Sequence, residues 1–173
     1  MTTASLAAVP LHETDPGPRG AALDRTGLLN LHRDRVRLRG VCVAGVNVGS
    51  IVNVMLDADA RRVAGFSVRL ADGDERFVPL VAVVALGPCG IELDSALHLM
   101  RDVAFYEVAG MDLGSLLGRS VGCRHAVRGS VGDVIADLAT GDVIALELVD
   151  GTVIPRDQAT FAGDTLRVAC VCR

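Results

Sequence analysis

Short apolar runs separated by acidic or glycine-containing turns dominate the chain from residue 26 onwards. Residues 51–56 and 63–70 are rich in aliphatic side chains, and the turns that follow them, 57–59 and 72–74, carry aspartate or glycine. Runs of this length between such turns are typical of β-strands in small barrels or sandwiches. Three further apolar runs lie at 41–48, 77–80 and 91–93. The pattern therefore predicts an all-β protein.

Two segments differ from this pattern. Residues 1–30 contain three prolines and no developed apolar period, so we predict a flexible tail that is disordered or loosely docked. Residues 95–107 have a loosely helical spacing of apolar side chains after Ser95, a candidate N-cap. We predict a linker, or a short helix, across this second segment.

The strand pattern returns in the second half of the chain, with its landmarks in the same order. The matched segments are 48–52 with 131–135, 65–68 with 145–148, 72–73 with 150–151, 77–79 with 152–155, and 91–93 with 166–168. Ordered recurrence of this kind indicates an internal duplication. We place one domain at 31–94 and the second at 108–173, with the linker between them.

Prolines and glycines recur within the matched segments. Gly49 and Gly132 correspond in this alignment, and each is expected where a strand bends or another backbone approaches closely. Pro79 and Pro155 cannot donate to a ladder, so they are expected at a strand start or on an edge strand. These positions are predictions about strand geometry and imply no chemistry.

Three stretches of the first copy, 48–57, 62–66 and 76–83, resemble the PRC-barrel family, including the hydrophobic-Pro-hydrophobic step at 78–80. This small β-barrel is named after the photosynthetic reaction centre H subunit and also forms the C-terminal part of ribosome maturation factors. The second copy departs from the pattern, with Ala145 in place of Gly65 and a hairpin turn at 138–142 that looks shorter. The resemblance implies two tandem PRC-like β-barrels that pack against larger assemblies, and it brings no catalytic residues.

The bulk properties narrow the classes of partner. Of the 173 residues, 50% are hydrophobic, which is enough to form a core, and the net charge is -4, which disfavours nucleic acid as a general partner. The longest apolar stretch, 78–86, is too short to cross a bilayer, and the first residues lack a secretory pattern. We therefore expect a cytoplasmic protein with reduced thiols and no transmembrane segment. A peripheral membrane contact stays open.

A row of arginines is the candidate partner-binding site. The four residues are Arg33, Arg35, Arg37 and Arg39. On an extended strand they would project from the same face and could bind phosphate groups, an acidic partner or an anionic membrane surface. The alternative is a solvated strand face paired with nearby acids such as Asp34 or Asp59.

The remaining candidate motifs favour structure over chemistry. Cys170 and Cys172 would share one face of a strand, but a metal site needs two more ligands, so we favour buried thiols that pack as small apolar groups. The glycine-spaced segment 110–119 has no lysine and is predicted as a linker into the first strand of the second copy. Calcium-loop spacing and a supported nucleophile–base pair are absent from the sequence. We predict no catalytic residue, no metal ligand and no cofactor.

These observations predict a non-catalytic adaptor, scaffold or assembly-factor module. It would bind partner proteins or a larger assembly through its tandem barrels, and homo-oligomerisation is a further expectation. Two alternatives remain. One is an accessory protein in RNA processing or ribosome assembly, and the other is a small metal- or redox-responsive protein that uses the C-terminal cysteines.

Overall fold

In a computed structural model, which describes residues 28–36, 39–101, 110–123, 126–162 and 165–168, the chain forms two seven-stranded β-sheets. The strands of repeat one are β1 (Leu28–Asn30), β2 (Gly40–Val43), β3 (Val46–Asp57), β4 (Val63–Leu70), β5 (Glu75–Pro79), β6 (Val83–Gly87) and β7 (Gly90–Leu93). Those of repeat two are β8 (Gly110–Asp112), β9 (Ser120–Cys123), β10 (Ala126–Asp137), β11 (Val143–Leu148), β12 (Val153–Pro155), β13 (Ala159–Ala162) and β14 (Thr165–Val168). The all-β prediction is confirmed.

Short helical turns connect some of these strands. They are the 3-10 turns η1 (Arg33–Val36), η2 (Leu80–Ala82), η3 (Ala96–His98) and η4 (Arg156–Gln158) and the single-turn α-helix α1 (Leu113–Leu116). Ser95 caps η3 by accepting a hydrogen bond from the Leu97 backbone N–H, as its position in the sequence predicted. Within the part of the chain that the structure describes, no helix is long and apolar enough to cross a membrane.

The two repeats have the same topology. The strand order is β5-β4-β3-β2-β7-β6 in one sheet and β12-β11-β10-β9-β14-β13 in the other. The β2–β7 pair of one sheet and the β9–β14 pair of the other are parallel. The remaining pairs are antiparallel. The two end strands of each order are not paired with each other in the described residues, so each ladder is open.

The first strand of each repeat pairs with the sheet of the other repeat. Leu29 of β1 lies opposite Ala136 of β10, and Met111 of β8 lies opposite Leu56 of β3. The end of the predicted tail is therefore a strand, while residues 1–27 lie outside the described residues. The segment 110–119, predicted as a linker, contains β8 and α1. This exchange explains how strands of three residues are stabilised, because β1 and β8 each pair with a strand of 12 residues, β10 and β3 respectively.

One core runs through both repeats. Its buried side chains are almost all aliphatic and come from both sheets, with Leu29, Leu56, Val134 and Leu146 among them. Burial of such surface stabilises a fold by roughly 25 cal/mol per Å² of apolar area. Because the core is shared, each repeat stabilises the other.

The match of residues 48–52 with 131–135 is wrong by three residues. Gly49 pairs with Val41, and the equivalent residue of repeat two is Gly129, which pairs with Val121. Gly132 instead lies at the bulge of β10. Close backbone approach is confirmed at Gly49, where an added Cβ would lie 2.6 Å from the Arg69 carbonyl oxygen.

The other landmarks correspond as predicted. Pro79 and Pro155 lie on the edge strands β5 and β12, opposite Gly65 and Ala145. The β3–β4 and β10–β11 connections, 58–62 and 138–142, have equal length, so the second hairpin is not shorter. Of the predicted linker, residues 102–109 lie outside the described residues, while Met100 bonds back to Phe77 of β5 with two 2.8 Å backbone hydrogen bonds.

Candidate binding sites

The arginine row does not form a strand where the structure describes it. Arg33 lies in the 3-10 turn η1, which removes the alternation on which the shared face depended. Its guanidinium binds the carboxylate of Glu147 on β11, and this hydrogen bond is the main reason that the pKa of Arg33 is raised. The side chain of Arg35 and all of Arg37 lie outside the described residues. Whether the row binds a partner stays a prediction.

Repeat two positions η1 through a buried carboxylate. Asp133, which is 3% exposed, accepts hydrogen bonds from the backbone N–H groups of His32 (2.8 Å), Arg33 (3.0 Å) and Val134 (2.7 Å). A carboxylate that accepts several N–H groups favours a turn whose donors converge. This long-range contact, which the sequence pattern does not contain, explains why 33–36 coil instead of extending.

Arg39 lies at an open groove of repeat one. The groove has a volume of about 510 Å³, and Asn47, Ser50 and Arg69 line it together with Arg39. Arg69 is paired with Glu75 at 2.7 Å, whereas no acid pairs with Arg39 in the described ranges. Arg39 therefore lines a groove, whereas Arg33 is paired with Glu147.

A buried arginine that the sequence did not single out joins the two repeats. Arg156 in η4 is 4% exposed, and its guanidinium donates to the backbone carbonyls of Asp59, Ala60 and Ala159. Burial, followed by the nearby charge of Arg61, lowers the pKa of Arg156 from its usual value. Asp59 and Ala60 belong to the β3–β4 hairpin, so this side chain ties repeat two to repeat one. In the sequence, only the preceding Pro155 had drawn attention to this segment.

A second cavity lies between β3, β8 and α1. It has a volume of about 360 Å³, and Arg119 lies at it together with Asn53, Met55, Met111, Asp112, Ser115 and Gly110. The Arg119 Nε donates to the Ser115 carbonyl at 2.9 Å, and its guanidinium carbon lies 5.7 Å from the centre of the Phe161 ring. The guanidinium is therefore held from two sides.

The cysteines do not match the expected reduced state. Cys42 and Cys89 form a disulfide across 47 residues, and Cys123 is also disulfide-bonded. The expectation of reduced thiols is wrong for these residues, and the predicted cytoplasmic location loses that support. Cys170 and Cys172 lie outside the described residues. Within the described ranges, no group of three or more His, Cys, Asp or Glu side chains could hold a metal ion.

Large apolar side chains are exposed at positions where the sister repeat is polar. Val81, the middle residue of η2, is 95% exposed, and the middle residue of η4 is the exposed Asp157. Val127, the second residue of β10, is 78% exposed, and the second residue of β3 is the exposed Asn47. The fold accepts a polar residue at both positions, so it does not require these valines.

Comparison of the chain with models of protein families found no match, and comparison with curated proteins found none either.

Proposed function

We propose that the protein is a non-catalytic adaptor whose two repeats are PRC-like barrels, and that repeat one binds a partner protein through exposed valines. The observation that carries the proposal is the divergence of the repeats at matched surface positions. The two repeats share one fold, so a polar residue at a given position in one repeat shows that folding does not require an apolar residue there. An exposed apolar residue at the matched position of the other repeat then needs an explanation other than folding.

The apolar edge, defined as Val81, Val84 and strand β6, is the proposed contact surface. Val84 is 58% exposed, and β6 contains no charged residue and ends its sheet. Natural edge strands are normally protected by charge, proline or a covering side chain. In repeat two, the Arg156 guanidinium covers the Ala159 carbonyl of the corresponding strand. Leu80 stands at the Arg156 position in repeat one and has no donor to offer.

Exposed aliphatic side chains at a sheet edge suit a protein partner with a complementary apolar surface. Interface cores are depleted in charged residues, which is also true of this edge. The duplication adds a second module on the same chain, and a partner with two contact sites would gain affinity from it.

The test uses variants that place the sister residue at each matched position. Val81→Asp copies Asp157, and Val127→Asn copies Asn47, so both changes are compatible with the fold. A partner captured from the native host by the wild type should be retained by Val127→Asn and lost by Val81→Asp. Light scattering on the same variants identifies a second copy of the chain as the partner if only Val81→Asp is monomeric. Equal capture and equal mass for all three proteins would refute the proposal.

A further inference from the structure

We propose that the cavity between β3, β8 and α1 binds an organic monocarboxylate, with Arg119 holding the carboxylate group. The cavity volume of about 360 Å³ lies near the lower end for small-molecule sites. Its lining includes Arg119, which can pair with a carboxylate, and two methionines, which can contact a short aliphatic chain.

The Arg119 guanidinium is held in a fixed orientation. Its Nε donates to the Ser115 carbonyl, and the guanidinium lies over Phe161, which fixes the plane of the fork. No carboxylate pairs with Arg119 among the residues that the structure describes, so its terminal amino groups keep their donors. A fixed guanidinium binds a carboxylate through two parallel hydrogen bonds at a low cost in side-chain entropy.

The surrounding charges favour a single negative charge. The Arg156 guanidinium also lies over Phe161, 5.5 Å from the ring centre, and its hydrogen bonds go to carbonyl oxygens. Two cations therefore flank one ring, and one of them, Arg119, lines the cavity. Asp112, however, lies at the same cavity, with its Oδ1 accepting from the Ser115 N–H at 2.8 Å. The Asp112 carboxylate repels any anion at the cavity, and it repels a dianion such as hydrogen phosphate more strongly than a monocarboxylate.

Two of the lining residues can contact an aliphatic chain. Met55 is 2% exposed and Met111 is half-buried, and both lie at the cavity. Thioether side chains adapt to irregular aliphatic ligands. The Asn53 side chain adds a neutral polar group to the lining, and its Oδ1 accepts a hydrogen bond from the Val54 N–H.

Repeat one supplies a matched control. Arg39 and Arg119 occupy the same position, because their carbonyls accept hydrogen bonds from Ile51 (2.8 Å) and Val131 (2.9 Å) respectively. The residue of repeat one that corresponds to Phe161 is Leu86, since Ile91 and Leu166 are their respective pairing partners. Arg39 therefore lacks the aromatic ring that orients Arg119.

The experiment follows the methionine methyl groups of the full chain by NMR during titration with hexanoate. The signals of Met55 and Met111 should shift saturably, while that of Met100, which does not line the cavity, should stay in place. Inorganic phosphate and hexylamine should produce no saturable shift. Arg119→Gln should weaken hexanoate binding about tenfold or more, because a charged hydrogen-bond pair is lost, and Arg39→Gln should leave it unchanged.

Three outcomes would overturn the proposal, and two of them concern affinity. One is hexanoate binding that is equal in the wild type and in Arg119→Gln, and the other is hexylamine binding as tightly as hexanoate. Phe161→Leu keeps the Arg119 charge and removes the ring, so it should weaken binding even if Arg119→Gln does not fold. No shift of the Met55 and Met111 signals in the folded wild type would also refute the site.

Discussion

Arg62 and Asp142 occupy the same position in the two repeats and pair with each other. The Arg62 Nε lies 3.6 Å from the Asp142 Oδ1, and the two residues form an isolated antiparallel bridge. On either side, Val63 N–H donates to the Gly141 carbonyl at 2.7 Å and Val143 N–H donates to the Arg61 carbonyl at 2.8 Å. Both charged side chains are more than half exposed, so the backbone hydrogen bonds carry most of this contact.

Replacement of Arg156 by the residue of the sister repeat should destabilise the protein. Arg156→Leu leaves the carbonyls of Asp59, Ala60 and Ala159 without their donor in a buried site. We expect a loss of about 3 kcal/mol in the free energy of unfolding, measured by urea denaturation. Arg128→Leu, at an exposed position, should change it by less than about 0.5 kcal/mol. Equal effects of the two changes would contradict the structural role of Arg156.

The Cys42–Cys89 disulfide should contribute strongly to stability. It closes a span of 47 residues, and cross-linking a loop of this size removes unfolded-state entropy worth about 4 kcal/mol. The free energy of unfolding of the double variant Cys42→Ala with Cys89→Ala, measured by urea denaturation, should therefore be lower by about that amount. As a check on the bond itself, thiol labelling of the denatured, unreduced wild type should modify neither cysteine. Labelling of both would show that the bond is absent.

Acidification should remove a contribution from Asp150. The Thr152 backbone N–H, which lies 2.9 Å from Oδ1, and then the Thr152 side chain lower the pKa of this carboxyl. A carboxyl whose pKa is lower in the folded than in the unfolded state stabilises the fold above its unfolded value, about 4, and loses this effect as the pH falls through the folded pKa. The stability difference between wild type and Asp150→Asn, from urea midpoints, should therefore shrink below about pH 4. A difference that is independent of pH would contradict this assignment.

Local patterns predicted the parts of the fold that local forces determine. Residues 63–70 coincide with β4, and Pro79 and Pro155 lie on edge strands because a proline cannot donate within a ladder. The Asp-Gly turns correspond as well: the N–H groups of Gly73 and Gly151 donate to Leu70 and Leu148. Turn chemistry and strand alternation are encoded within a few neighbouring residues.

Long-range pairing could not be predicted in the same way. Leu28 finds its partner at Asp137, and no periodicity in a three-residue strand encodes a partner so distant. The strand conformation expected at Arg33 was wrong for a related reason, because the Asp133 carboxylate of repeat two accepts hydrogen bonds from the backbone N–H groups of His32 and Arg33. The match of Gly49 with Gly132 was wrong because similar Gly-x-hydrophobic triplets recur three residues apart.

The exchange of first strands also determines the path that a mechanical load would take. A pull on the N-terminal side of Leu28 reaches β1 first, and β1 is bonded to β10 of repeat two. The tension would therefore separate β1 from β10 of repeat two before it reached β2 of repeat one. If the protein were held by its N-terminal segment, the first contact to carry the force would be the one between β1 and repeat two.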